Sequence, residues 1–308
     1  MTAHALATPS VRQQAQSILS ETFRSRATLA FIALWVIGAA ALLAYGHTPW
    51  GGLASLTGIA VFMFITALNT QPNPHLVEVD AGERRKIYLQ LAVIFLLIGL
   101  TGLRGMQFHD LIPFNTVIPG WTPLVDALER FSGRTFGNDN YLTNPVLYFV
   151  IPLILLLLLG AKLPDLGLGR GHRVLRVTFI WCIVPVLAIA YLIVNGALLS
   201  WVGQVILSNA LNNGFFEEFL FRGALQTRLR RLLSPGWALV LQAVIFGVWH
   251  VGLGFSNFGE PGGVITALAS TIVFQMGLGL AFGYIFERSR NLVAPSLFHV
   301  LYNSMFSI

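Results

Sequence analysis

Apolar residues run in long stretches along this chain, near 27–45, 51–69, 87–103, 145–160, 177–199, 203–226, 236–254, 263–285 and 291–307. Such lengths suit helices crossing a hydrocarbon layer roughly 30 Å thick. The interiors are rich in Leu, Ile, Ala and Phe and do not alternate with polar residues, so the pattern predicts helices and excludes a transmembrane barrel. The fold class expected is therefore all-α, a polytopic transmembrane helical bundle of about nine spans. Eight is the alternative, because 145–160 is short and 203–226 carries two Glu and three Asn. The one sizeable segment outside the bilayer is 104–142, punctuated by Pro113, Pro119, Pro123, Gly133 and Gly137. Within it, 121–131 is predicted to be a short interfacial helix, serving as a connector or a lid.

Composition narrows the class further. The 308 residues are 55% hydrophobic and 10% charged, where a soluble domain would carry roughly a quarter charged residues. The net charge of +6 does not point to nucleic acid, because the basic residues sit in short loops between spans. There they act as topology signals and contacts to anionic lipid. With the N-terminus cytoplasmic, the inner segments hold 16 of the 19 Lys and Arg residues, Arg222 among them. The other three, Arg104, Arg130 and Arg134, share the long outer loop. The expected location is an inner membrane of bacterial type, multi-pass, with the C-terminus outside. The first 26 residues are polar and lack the early apolar core of a secretory signal, so the first span is expected to be retained. Cys182 is the single cysteine, which rules out an intrachain disulfide and leaves no basis for a cysteine metal site.

Against this apolar background three patterns stand out: Glu217-Glu218-x-x-x-Arg222, Phe246-x-x-x-His250 and His299-x-x-x-Asn303. Polar groups at membrane depth are costly unless they face one another or a wet cavity, so they mark a site. Adjacent helical residues project about 100° apart, so Glu217 and Glu218 cannot face one point. Glu218 precedes Arg222 by four, the favourable order for a helical ion pair, which leaves Glu217 as the working carboxylate with Asn213 one turn before it. Phe246 shares a helix face with His250, and His299 shares one with Asn303. At 1.5 Å rise per residue, Glu217 lies about 20 Å from Arg231, His250 about 24 Å from Ser234 and His299 about 13 Å from Arg290. Those depths are compatible with one mid-bilayer site if the helices tilt, and they leave its access side open.

A carboxylate and a histidine can activate water for attack on an amide carbonyl, while a second histidine and an amide can hold the oxyanion. Glu217, His250 and His299 could instead ligate Zn²⁺ with an open position. The chain has no His-Glu-x-x-His element and no Gly-x-Ser-x-Gly elbow.

The three motifs, in that order and on hydrophobic helices, resemble the CPBP family of intramembrane endopeptidases, the CAAX-protease and bacteriocin-processing group also called Abi. The resemblance covers about 200–308. Leu166-Gly167-Leu168-Gly169 is similar to a short element that often precedes the family's core. The expected organisation is then 1–145 as a tail, added transmembrane helices and the long outer loop, and 146–308 as the protease core. The resemblance implies Glu217 and His250 as the water-activating pair, His299 and Asn303 as the oxyanion pair, and Glu218, Arg222, Phe246 and Asn213 as supports. It leaves open whether the cofactor is none or a divalent metal such as zinc. The partners expected are the lipid bilayer and a peptide or membrane-protein substrate, with no nucleic acid. The alternative is a non-catalytic immunity or scaffold protein of the same family. A transporter is disfavoured, because paired broken helices in two related halves are not evident.

Overall fold

A computed structural model describes residues 10–70, 79–113 and 116–308. The first nine residues of the polar tail and positions 114–115 of the long loop thus lie outside the described residues. Every regular element among the described residues is helical. In chain order these are α1 (Val11–Arg24), α2 (Arg26–Ala44), α3 (Trp50–Asn69), α4 (Ala81–Phe108), α5 (Trp121–Phe136), α6 (Asn140–Leu158), α7 (Val174–Val194), α8 (199–232), α9 (Pro235–Trp249), α10 (Val251–Phe258), α11 (Val264–Ser289) and α12 (Val293–Ser307).

Among the described residues, six helices are long and apolar enough to cross a membrane, or seven if α9 and α10 form one bent span. The nine segments expected from hydropathy are all helical, but 203–226 and 291–307 fall outside that set. The first carries Glu217, Glu218 and Arg222, and the second folds into a helix of only 15 residues. Both are sheltered by the bundle, and 219–230 is buried along its whole length. Their polar content is tolerated because neighbouring helices, rather than lipid, surround it.

The long segment 104–142 is more ordered than its Pro and Gly content suggests. Helix α4 runs on to Phe108, so Arg104 is a helical residue, and α5 covers 16 residues rather than the predicted 11 at 121–131. Arg104 Nε donates to Glu129 of α5 at 2.8 Å, and its NH1 reaches Asn144 Oδ1 of α6 at 3.0 Å. This guanidinium therefore pins α5 to the bundle.

At the opposite face the basic residues close the bundle. Arg231 pairs with Glu83, Arg230 and Arg290 both reach Glu287, and Arg228 Nε donates to Gln90 at 3.0 Å. The Leu-Gly-Leu-Gly element lies here too. Gly167 adopts φ +74°, a region open to glycine at little cost, and its carbonyl accepts from Leu292 N at 3.1 Å. Arg222, grouped by charge with the inner loops, is instead fully buried inside the bundle. It forms an ion pair there and is not a topology signal.

Candidate active site

Four π-helical turns interrupt the helices around the centre: Val146–Val150 in α6, Ala210–Gly214 and Phe219–Gln226 in α8, and Thr271–Gln275 in α11. Such turns free backbone groups and re-aim side chains, and they are frequent at functional sites. Trp35 of α2 uses one such group, donating its indole N–H to the Val273 carbonyl at 3.0 Å. Residues of three of these turns, Tyr148, Asn213 and Thr271 among them, line a cavity of about 930 Å³.

All four principal side chains line that cavity: Glu217 from α8, His250 from the break between α9 and α10, and His299 and Asn303 from α12. Asn213 and Phe246 line it as well, whereas Glu218 and Arg222 stand behind the wall. The chain bends by 53° at His250, which places the imidazole at the break rather than along a continuous helix. His250 Nδ1 lies 2.8 Å from the Phe246 carbonyl. A carbonyl only accepts, so Nδ1 carries the proton and Nε2 presents a lone pair. That Nε2 faces Glu217 Oε2 at 3.9 Å, and this oxygen is buried with no hydrogen-bond partner among the described residues.

Glu218 makes a second node. Its Oε1 accepts from Arg222 NH1 at 3.0 Å and from His299 Nδ1 at 2.8 Å. The ion pair expected from i, i+4 spacing is present with both side chains fully buried. Its extension to His299 spans 81 residues of sequence and was not readable from spacing. Aromatic rings seal the node. Phe246 lies 4.4 Å from the Arg222 guanidinium carbon, and Phe282 stacks on His299 at 4.4 Å. Such contacts suit a cation held away from water.

This close packing depends on Gly214, where a Cβ would run into the Val300 side chain of α12. Gly214→Ala is expected to push α12 outward and cost about 1–3 kcal/mol, as overpacking does. Thermal unfolding in detergent measures the loss, and an unchanged midpoint would show that α12 yields freely.

Sequence reasoning missed several contributors. Trp249 sits edge-on to His250 at 4.8 Å and donates Nε1–H to Thr101 of α4 at 3.0 Å. Tyr148 packs edge-on against Trp249 and lies 3.3 Å from Arg104 NH1. Asn144 takes a bond from Arg104 and donates Nδ2–H to the Asn212 carbonyl at 2.7 Å, within the π turn that leads to Glu217. Arg104→Ala is expected to loosen this wall. A rise in KM of about tenfold, equivalent to about 1.4 kcal/mol, is expected with a smaller change in kcat. Steady-state kinetics on one peptide separates the two, and an unchanged KM would show that the cavity wall does not depend on Arg104.

Among the described residues, no group of three or more His, Cys, Asp or Glu side chains converges closely enough to hold a metal ion. His299 turns Nδ1 to Glu218 and not to Glu217. Glu217, His250 and His299 as placed do not fit a three-donor centre.

Residues 198–305 match the family model described as type II CAAX prenyl endopeptidase Rce1-like. No curated protein and no solved structure matches the chain. The matched span contains all three motifs and every cavity residue contributed by α8 to α12 except Phe306, whereas Arg104, Asn144, Tyr148 and Thr101 precede it.

Proposed function

We propose, from the match of residues 198–305 to the Rce1-like CAAX protease model, that this chain is an intramembrane endopeptidase acting through a carboxylate-activated water. The observation that carries the reading is the facing pair of Glu217 Oε2 and His250 Nε2, 3.9 Å apart in the cavity. Both atoms are acceptors, and water has two O–H donors. One water bound between them directs its lone pairs away from both, toward a carbonyl placed in the cavity.

Glu217 takes a proton as the water oxygen attacks the scissile carbonyl carbon. The carbonyl π electrons move to oxygen, and that oxyanion lies against His299 and Asn303. His299 gives Nδ1–H to Glu218, so its doubly protonated form has Nε2–H left for the oxyanion. Asn303 offers its amide N–H. The C–N bond then breaks, Glu217 returns the proton to the departing amine, and the products are a carboxylic acid and an amine. Phe246, Phe282 and Trp249 exclude bulk water from these charges. Asn213 lies on the cavity wall one turn before Glu217.

The test is hydrolysis of quenched-fluorophore peptides by the purified protein in liposomes. Cleavage that is lost in His299→Ala and survives 1,10-phenanthroline is the expected result. Cleavage abolished by the chelator and restored by Zn²⁺ would overturn the carboxylate mechanism. Full processing by the His299 variant would favour the scaffold reading instead.

A further inference from the structure

The cavity belongs to one half of the bundle. Its outermost lining residues are Gly51 at the start of α3, His109 just beyond α4, Asn257 near the end of α10 and Phe306 near the end of α12. Contacts tie these ends to one another, since His109 Nδ1 lies 2.8 Å from Ser256 Oγ and His47 packs edge-on against Phe258. No lining residue comes from 79–86, 159–176, 226–235 or 286–295, the segments that hold the basic clusters. Those segments meet at the other face, joined by the Arg231–Glu83 and Arg230–Glu287 pairs. Lys and Arg in short loops mark the cytoplasmic side.

We propose that the cavity opens on the extracytoplasmic side, and that its substrate is a polypeptide segment presented from that side. The first half stands on topology alone, and the second rests on the hydrolytic reading above. A chain lipidated at the cytoplasmic surface would meet the face closed by ion pairs. A segment arriving from outside meets amide side chains at Asn140 and Asn257, suited to an extended backbone. Deeper in, Trp181, Phe282 and Phe298 receive apolar side chains. The volume of about 930 Å³ is near the top of the range for small-ligand pockets and fits a short peptide.

Single-cysteine labelling tests the topology in full-length protein carrying Cys182→Ala. Ser256→Cys sits at the cavity rim and Ser234→Cys at the basic face, and both native serines are exposed. A membrane-impermeant maleimide added to intact cells is expected to label the first, and to label the second only after permeabilisation. The reverse pattern overturns the proposal. Because labelling requires no catalysis, it stands even if the protease reading fails. Sealed vesicles then test the substrate half with impermeant quenched-fluorophore peptides and Glu217→Gln as the blank. Glu217-dependent cleavage by right-side-out vesicles is expected, and cleavage confined to inside-out vesicles would contradict it.

Discussion

Glu217→Gln is expected to insert and fold like the parent while losing peptide hydrolysis by about 10²–10⁴ in kcat, the usual contribution of a positioned general base. The substitution keeps shape and removes only the proton acceptor. Glu217 Oε2 has no hydrogen-bond partner among the described residues, so no structural bond is lost there. An amide at that position would donate to His250 Nε2 and occupy the lone pair that a water needs. His250→Ala is expected to show a loss of similar size. Combining the two should cost little more than either alone, because groups that act on one water act as a unit. Single-turnover kinetics on one peptide supplies the numbers. Losses that simply multiplied would mean that the two side chains do not share a water.

Glu218→Ala is expected to fail in a different way. It leaves the Arg222 guanidinium fully buried, with the Gly279 carbonyl at 3.2 Å and the faces of Phe246 and Phe282 for company. Removing one partner of a buried ion pair costs about 3–5 kcal/mol, since an uncompensated charge stays behind. The expected result is a large fall in thermal stability in detergent and poor recovery from membranes. A paired change, Glu218→Leu with Arg222→Met, removes both charges and is expected to regain much of that stability. Activity should not return with it, because His299 Nδ1 then lacks the carboxylate it donates to. If the double variant were stable and fully active, Glu218 would have no part in orienting His299.

Local rules made part of this legible in sequence. Apolar runs gave the helices, and i, i+4 spacing separated Glu218 with Arg222 from Glu217, as the buried pair at 3.0 Å bears out. What spacing cannot carry is contact between distant segments. The Glu218–His299 bond, the Trp249–Thr101 bond and the Arg104 cluster each join helices far apart in the chain. Length and hydropathy alone leave α8 and α12 outside the set of candidate spans, because α8 carries buried charges and α12 is short. The π turns leave no periodic trace over five to eight residues. Which helix ends share a face, the basis of the proposed access side, is likewise a matter of contacts between distant segments.

Membranes from cells expressing equal amounts of the parent chain or Glu217→Gln can be compared for new polypeptide termini by mass spectrometry. Intramembrane proteolysis centred on Glu217 predicts termini that form only with the parent and lie in extracytoplasmic segments. The same set of termini in both, at matched expression, would contradict it.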